Sequence, residues 1–194
     1  MQTHFERIEP YLPAIFKYLN FFVVLLWKLG LGKLLNIWPS VGGRILVIRH
    51  SGRSSGTTYL TPVNFTEKDD PIYVVSGFGA QSDWYQNILA NPQVEIWLPD
   101  GWYIGQAVPA DDSAERLERI RDVLIASGFA APLFGINPKT MSDLELDEAV
   151  SSYRLVRITR QAARTGADGP GSLAWIWPLI VAVVCMKKRK RQRR

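Results

Sequence analysis

The stretch RILVIRHSGRSSGTTYLTPVNF, residues 44–65, decides how this chain folds. Two runs of apolar and β-branched residues, 44–49 and 59–65, flank a short loop of glycine, serine and arginine. Such runs on either side of a polar, glycine-bearing loop are typical of two neighbouring β-strands. The sequence therefore predicts two strands joined by the loop of residues 52–56.

Four more strands are predicted along the chain, at residues 72–76, 94–98, 102–108 and 153–159. Two tight turns, Asp69-Asp70-Pro71 and Pro99-Asp100-Gly101, lie between neighbouring strands. Strands that are joined by tight turns pair antiparallel, whereas parallel strands need long crossover connections. The predicted fold class is therefore mainly β, an α+β arrangement with helical inserts rather than a series of βαβ units.

Helices are predicted where apolar residues recur at helical spacing. One begins at Asp83, which is placed at its N-cap, and another follows Asp112-Ser113. A shorter helix begins at Ser142, where Glu145 completes a capping box. The helix after Asp112-Ser113 carries an apolar stripe of Leu117, Ile120, Val123 and Leu124.

The charge of the chain is concentrated at one end. The 194 residues have a formal net charge of +5, but seven of the last eight are Lys or Arg. The others carry sixteen cations against eighteen anions, a net charge of −2. A nucleic-acid-binding domain carries its positive charge on the fold, so no nucleic-acid partner is expected. With two histidines and one cysteine, neither an internal disulfide nor a metal site is expected.

Both ends of the chain are apolar. Residues 13–35 are predicted to form a helix with a narrow polar edge, which either lies in a membrane interface or packs on the core. Eighteen uncharged residues, 169–186, precede the basic tail and are predicted to anchor the chain in a membrane. A tail that folds onto the domain, or that is disordered, is the alternative. The predicted parts are an N-terminal helix (1–40), a central domain (41–160), a linker (161–171) and an anchor with its tail (172–194).

The loop of residues 52–56 can bind an anion. Backbone N–H groups of a glycine turn can converge on one anion, and Arg53 can add a bidentate contact to a phosphate. Ser54 and Ser55 supply hydroxyl donors. An ordinary polar hairpin loop is the alternative, and the Lys-Ser/Thr ending of a Walker loop is absent.

A second turn, Gly77-Phe78-Gly79, precedes the aromatic start of a predicted helix. Its glycines allow the backbone to approach a flat ligand closely. Trp84 and Tyr85 can wall a ring system, and Asn87 can bond the ring or tie the loop. For both aromatics the alternative is that they fill the core. A dinucleotide-binding turn is disfavoured, because the third glycine is missing and the strands are antiparallel.

Together these segments resemble a known family. Gly52-Arg53-x-Ser55-Gly56, Thr61-Pro62, Gly79 and Asp83-Trp84-Tyr85-x-Asn87-x-x-Ala90-Asn91-Pro92 are similar to the motifs of the deazaflavin-dependent nitroreductases, which use coenzyme F420. The resemblance covers about residues 12–160. It implies a split β-barrel of the FMN-binding type, with about six antiparallel strands and flanking helices, to which the N- and C-terminal hydrophobic helices are added.

The resemblance also implies a function and a set of site residues. The implied reaction is hydride transfer from reduced F420 to a quinone, an enone or a nitroaromatic. Tyr85 and Tyr59 are the candidate proton donors, with solvent as the alternative. The residues that it places at the cofactor are Arg53, Ser54, Ser55, Gly56, Tyr59, Thr61, Pro62, Val63, Val75, Ser76, Gly77, Phe78, Trp84, Tyr85 and Asn87.

Three positions depart from the family pattern because each lacks a cation. The family often has Lys, Arg and Lys where this chain has Ser54, Tyr59 and Phe78. At about 0.5–1 kcal/mol for each exposed contact, their loss lowers cofactor affinity tenfold or more. Arg49 and His50 can compensate from the strand end, although a lone histidine is more typically a surface or core residue than a ligand. FMN or haem in the same barrel therefore remain alternative cofactors, and a non-catalytic, membrane-tethered binding protein remains an alternative function.

The expected partners follow from these features. They are a small, planar, electron-poor substrate and membrane lipid, which the C-terminal segment contacts with or without the N-terminal helix. A homodimer is also considered. The expected localisation is at a membrane, on its cytoplasmic face.

Overall fold

In the computed structural model, which describes residues 12–68 and 71–192, six strands close into one barrel. The strands are β1 (Ile45–Ser51), β2 (Thr58–Glu67), β3 (Pro71–Ser76), β4 (Gln93–Leu98), β5 (Gly101–Pro109) and β6 (Arg154–Ala163). Their order around the barrel is β1-β2-β3-β6-β5-β4, and every neighbouring pair is antiparallel. The predicted core of six antiparallel strands is confirmed.

Helices flank this barrel. The α-helices of the described residues are α1 (Leu12–Lys28), α2 (Pro39–Gly42), α3 (Asp83–Ala90), α4 (Arg116–Ala126), α5 (Ala130–Leu133), α6 (Asp143–Ala149) and α7 (Ile176–Gln192). The capping box predicted at the start of α6 is present, because Ser142 Oγ accepts from the Glu145 N–H and Glu145 Oε2 accepts from the Ser142 N–H. Such a cap stabilises a helix by about 1 kcal/mol.

Apolar side chains pack in three clusters because strand residues alternate between the two sides of the barrel wall. Leu46 and Ile48 belong to the cluster that fills the barrel interior. On the outside, α4 packs against the barrel through Ile120, which confirms the predicted stripe. Helix α1 packs elsewhere on the wall through Trp27, whose ring centroid lies 6.5 Å from that of Trp97.

Helix α1 is shorter than the helix predicted for residues 13–35. It ends at Lys28, and Gly30 follows with a left-handed φ of 79°, a conformation that favours glycine. Val23 and Trp27 are buried against the barrel, whereas Tyr18 and Phe21 are exposed. One face of α1 therefore packs on the core, as the second of the two predicted alternatives requires, and the other face remains open.

The C-terminal region differs from its prediction. Strand β6 continues to Ala163, so the segment 161–171, predicted as a linker, begins within the sheet. The predicted anchor contains the start of α7, which begins at Ile176 and runs on through the basic residues to Gln192. The stretch before Ile176 is made of turns because hydrogen bonds fasten it to the end of α1. Within residues 12–68 and 71–192, no helix is long and apolar enough to cross a membrane.

Some predicted features lie outside the described residues. They are residues 1–11 of the predicted N-terminal part, the Asp69-Asp70 portion of one turn and residues 193–194 of the basic tail.

Candidate functional site

The loop of residues 52–56 closes the β1–β2 hairpin and lies at the surface. Two backbone hydrogen bonds fix its shape: Gly52 N–H donates to Thr57 O at 2.8 Å, and Gly56 N–H donates to Gly52 O at 2.9 Å. Gly56 has a left-handed φ of 64°, and no atom lies within 4 Å of the position that a Cβ would occupy there. Ser54 and Ser55 are exposed beside it. The loop therefore offers the Ser54 and Ser55 hydroxyls in an open, ordered turn. The N–H groups of Gly52, Arg53, Gly56 and Thr57 already donate within the protein, so they do not converge on an anion as the sequence predicted.

Arg53 is held in place at the edge of this loop. Its backbone N–H donates to Asn87 Oδ1 at 3.0 Å, and its Nη1 donates to the same oxygen at 3.2 Å and to Asp83 Oδ1 at 3.1 Å. The side chains of Arg53 and Asp83 are 43 % and 87 % exposed, so this ion pair contributes 1 kcal/mol or less to stability, roughly. Among the described residues Nε and Nη2 have no partner, which leaves a two-donor edge for a ligand.

Asn87 organises the site from the middle of α3. The backbone N–H and the Nη1 of Arg53, which both contact the Asn87 side chain, can only donate. The amide oxygen of Asn87 therefore faces Arg53, and the amide nitrogen faces His50. Asn87 Nδ2 lies 3.3 Å from His50 Nδ1 and donates to it. His50 Nδ1 is therefore the unprotonated ring nitrogen, and the proton sits on Nε2, which donates to Thr61 Oγ1 at 3.0 Å. The Thr61 hydroxyl proton is left free to be donated to a ligand.

His50 is a buried, neutral histidine that connects the strands of the hairpin to α3. It is 4 % exposed, and burial lowers its pKa to about 4. Its ring stacks on Tyr59, with centroids 5.8 Å apart. This matches the expectation that a lone histidine is a core residue. Through its hydrogen bonds to Asn87 and Thr61, His50 also links α3 to strand β2.

Lowering the pH is expected to destabilise the protein through His50. The pKa in the folded protein, about 4, lies below the ordinary 6.5, so the unfolded chain takes up the proton first as pH falls. Stability should be intact above pH 6.5, fall as the pH drops towards 4, and lose about 3 kcal/mol in total. Urea denaturation across this range measures the loss. His50→Gln keeps polar contacts but does not titrate, and an equally steep loss in that variant would contradict the assignment to His50.

The second turn is braced from within. Ser76 is buried, and its Oγ lies 2.8 Å from Gly79 O and 2.7 Å from Ser82 Oγ. Gly77 and Phe78 are exposed at the tip. Ser82, not Asp83, is the N-cap of α3, so the N-cap prediction was wrong by one residue. Asp83 is the first helical residue, where its carboxylate interacts favourably with the positive end of the helix dipole and forms an ion pair with Arg53.

The two aromatic residues at the start of α3 differ in their surroundings. Tyr85 is buried in the barrel core, and its hydroxyl donates to Asp111 Oδ2 at 3.4 Å. Burial and the negative charge of Asp111 raise the pKa of Tyr85. Trp84 is half-buried and meets Tyr85 edge-on, with centroids 6.3 Å apart. Tyr85 is therefore a poor proton donor, whereas Trp84 can line a pocket.

Strand alternation divides the residues predicted on β2 and β3. Thr61 and Val63 face the same side as His50 and the barrel interior, whereas Pro62, opposite Val47, faces the side covered by α1. On β3, Val75 packs against the outer helical cluster. The side chains of Pro62 and Val75 lie on the opposite face of their strands from those of the adjacent residues, so they cannot contact the same ligand. Cofactor binding by Pro62 and Val75 stays a prediction, and it is limited to backbone contacts.

A cavity of about 320 Å³ lies where β1 and β4 stop pairing, next to the loop. In it Glu95 accepts from Arg49 Nη1 at 3.0 and 3.2 Å and forms an ion pair with Arg164 Nε at 3.3 Å. Two arginines around one carboxylate leave one net positive charge. Nine residues line the cavity: Arg49, His50, Ser51, Thr58, Gln93, Val94, Glu95, Ile104 and Arg164.

Sequence reasoning missed the contributions of Arg164 and Glu95. They meet Arg49 from distant strand segments, and no local motif marks them. The expected compensation by Arg49 is limited, because Glu95, which also pairs with Arg164, already holds the Arg49 guanidinium. His50 has no free charge either, since its pKa is lowered to about 4.

Most residues of this site lie in a part of the chain that matches a known protein family. The sequence profile of the F420H(2)-dependent quinone reductase family matches residues 30–129, just over half of the chain. The chain belongs to this family. The matched region contains β1–β5, the loop of residues 52–56, the second turn and α3, and thus the whole network around Asn87. Membership in this family identifies the chain as an oxidoreductase of the F420-dependent type and confirms the resemblance that its motifs suggested.

Several solved structures are similar to part of this chain at low sequence identity. An F420-H2 dependent reductase is 21 % identical, covers 60 % of this chain and 93 % of its own, and has a TM-score of 0.42. A conserved hypothetical protein from Mycobacterium tuberculosis is 19 % identical, with coverages of 69 % and 79 % and a TM-score of 0.44. The heme storage protein HutZ from Vibrio cholerae is 14 % identical, with coverages of 62 % and 83 % and a TM-score of 0.41. No curated protein matches the chain.

Proposed function

We propose that this protein uses reduced coenzyme F420 to reduce a flat, electron-poor molecule. Quinones are the first substrate class, and enones and nitroaromatics share the same requirement for a hydride acceptor. One observation carries the proposal: in a chain of this family, Asn87 holds Arg53 beside an open glycine loop with two guanidinium donors still available. In this proposal the loop is an anion site that is ordered before the ligand binds, and a preformed site binds with less loss of entropy.

The loop fits the phosphate of such a cofactor. Arg53 would offer Nε and Nη2 together to two phosphate oxygens, and the Ser54 and Ser55 hydroxyls would add donors. At Gly56 nothing obstructs the approach of the phosphate to the backbone. Gly77 and Phe78 form an exposed tip directly after the neighbouring strand β3, and this tip would contact the deazaflavin ring.

The ring system would lie against one face of β2. Tyr59, Thr61 and Val63 share this face, and the Thr61 hydroxyl is a donor towards a ring carbonyl because His50 occupies its lone pair. When bound, the reduced deazaflavin supplies a hydride, and a quinone that takes it needs one proton to become the hydroquinone. The tasks left to the protein are to orient the two molecules and to exclude water.

Tyr59 is the better of the two proposed proton donors. It is half-exposed beside the loop, and its ring stacks on His50, which fixes its position. Tyr85 is turned into the core, bonded to Asp111, and its pKa is raised. A proton from Tyr59 or directly from solvent therefore completes the reduction in this proposal, and Tyr85 serves to anchor α3.

FMN is the second candidate cofactor, and one observation favours it. Arg49 is paired with Glu95, and Arg53, which is itself paired with the exposed Asp83, is the one cation within the loop of residues 52–56. This suits a ligand with a single phosphate and no acidic extension. The absorbance spectrum of the protein as isolated separates the candidates, because bound flavin and bound haem each have their own visible bands.

Arg53→Ala is expected to weaken binding of F420 about tenfold or more, because a bidentate, charge-assisted contact is lost. Titration of F420 fluorescence with the protein measures the dissociation constant. Arg157→Ala is the matched control: this arginine is exposed on β6, away from the loop, and its loss should leave the constant unchanged.

Two results would overturn the proposed function. One is that folded protein at high micromolar F420 changes neither the fluorescence nor the absorbance of the cofactor. The other is that F420 binds but Arg53→Ala binds it as tightly as the unaltered chain does. The first would favour another cofactor or a non-catalytic binding protein, and the second would move the phosphate elsewhere.

A further inference from the structure

We infer that α1 and the C-terminal segment together form one apolar surface that binds the face of an anionic lipid bilayer. The first part of this surface is the open face of α1. Tyr18, Leu19, Phe21 and Phe22 are exposed there, with Phe21 69 % exposed. At 3.6 residues per turn they span an arc of about 160°, and the buried Val23 falls outside it.

The second part is fastened to the first by hydrogen bonds. Gly171 N–H donates to Trp27 O at 2.9 Å, and Leu173 N–H donates to Lys28 O at 2.8 Å. The indole of Trp177 donates to Leu29 O at 2.9 Å. Trp27 O also accepts from the Gly30 N–H, whereas the carbonyls of Lys28 and Leu29 lie at and just past the end of α1, where intrahelical partners are missing. The start of α7 therefore has a fixed place beside the end of α1.

Apolar side chains of the C-terminal segment are exposed on all sides of α7. Single exposed apolar residues are normal on a protein surface, but here many lie next to one another. A contiguous apolar surface of this kind marks an interaction site. The exposed members are Trp175, Trp177, Leu179, Ile180, Val181, Val183, Val184 and Met186.

The charges favour lipid over protein as the occupant. Residues 12–28 and 176–192 contain no acidic residue, and seven of the eight residues 187–194 are Lys or Arg. Lys17 and Lys28 border the apolar arc of α1 on one side, as in helices that lie in a membrane interface. A basic cluster directly after an apolar, tryptophan-bearing helix matches the anionic headgroups and apolar interior of a bilayer.

This surface lies outside the part of the chain that matches the family. Residues 12–29 and 130–192 are not included in the matched region. Bilayer binding therefore neither requires nor implies any particular cofactor, and it can be tested without one.

Flotation of the full chain with lipid vesicles tests the inference. We expect binding to vesicles of equal parts phosphatidylcholine and phosphatidylglycerol, weak binding to phosphatidylcholine alone, and loss of binding as salt is raised. Phe21→Asp combined with Trp175→Asp should lower the vesicle-bound fraction about tenfold or more, since two apolar anchors are lost. Leu144→Asp is the control: Leu144 is exposed on α6, away from this surface, and the change should have no effect.

A separate variant tests the basic tail. Lys187→Gln, Lys188→Gln and Arg189→Gln together should reduce binding to the anionic vesicles and leave the weak binding to phosphatidylcholine as it was. Near-ultraviolet circular dichroism of each variant should match that of the unaltered chain, as expected if the barrel remains folded. Equal binding by the aspartate variant and the unaltered chain would overturn the inference. So would a dimer in light scattering that Phe21→Asp dissociates while neither protein binds vesicles, because the surface would then join two copies.

Discussion

Replacing Asn87 with leucine is expected to lower the affinity for F420 by up to about tenfold and the free energy of unfolding by about 3 kcal/mol. Leucine has nearly the same size but can neither accept from Arg53 nor donate to His50. The buried His50 Nδ1 and the part-buried Arg53 N–H would lose their partners. An unsatisfied buried group costs about 1–3 kcal/mol, and the more accessible Arg53 N–H costs less because water can reach it. The affinity falls as well because Arg53 is no longer held in place before the ligand binds.

The role of Asn87 as a positioning residue can be separated from a general loss of stability. Fluorescence titration gives the F420 dissociation constant, and urea denaturation gives the stability of the same sample. If Asn87 acts through Arg53, then Asn87→Leu combined with Arg53→Ala should bind F420 no more weakly than Arg53→Ala alone. Asn87→Asp, which keeps an oxygen for Arg53, should lose less affinity. Additive losses in the double variant would show that Asn87 contacts the ligand independently.

Replacing Gly79 with alanine is expected to be the most destabilising single methyl addition in the second turn. Gly79 has a left-handed φ of 67°, which costs other residues about 1–2 kcal/mol. An added Cβ would also lie 2.6 Å from Ser152 O, a backbone atom that cannot move aside easily. We expect a total loss of about 3–4 kcal/mol, measured by chemical denaturation.

Gly135→Ala is the matched control for this prediction. Gly135 has a left-handed φ of 76°, but nothing lies within 4 Å of its added Cβ. It should therefore lose only the conformational part, about 1–2 kcal/mol. Equal losses for the two variants would mean that the contact with Ser152 relaxes without cost.

The barrel could be predicted from the sequence because its signals are local. Alternating apolar runs and glycine- or proline-bearing turns mark each strand, as at residues 44–65, and tight turns require antiparallel pairing. Eight of the twelve boundaries moved outward by one to four residues, since the ladder extends wherever a partner strand continues, two stayed in place, and the starts of β1 and β6 moved inward by one. Strand β6 shows this best: it runs to Ala163 because Ala162 and Ala163 pair with β5.

The candidate site was predictable only in part. The motif marked Arg53 and Asn87, but the bond between them joins residues 34 positions apart, and its direction depends on how α3 packs on the hairpin. The same holds for Arg164 and Glu95, which meet only when the barrel closes. Consecutive strand residues were grouped as ligand contacts although a strand sends them to opposite faces, as Thr61 and Pro62 show.

The C-terminal region shows a further limit of sequence reasoning. Uniformly apolar composition in residues 173–186 indicates burial in something, but it does not indicate in what. The hydrogen bonds from Gly171 and Leu173 to the end of α1 are made by backbone atoms, for which the side-chain pattern carries no signal.

The uneven pairing of the strands divides the barrel into two leaves. Strand β1 pairs with β2 over seven residues, whereas the described pairings β1–β4 and β2–β3 each cover three. The β1–β2 hairpin is thus joined to the other four strands by two short ladders. The hydrogen bond from Arg53 to Asn87 provides a further link, between this hairpin and α3. A phosphate bound by Arg53 would add contacts at this link, so cofactor binding would strengthen the attachment of the hairpin to the rest of the barrel.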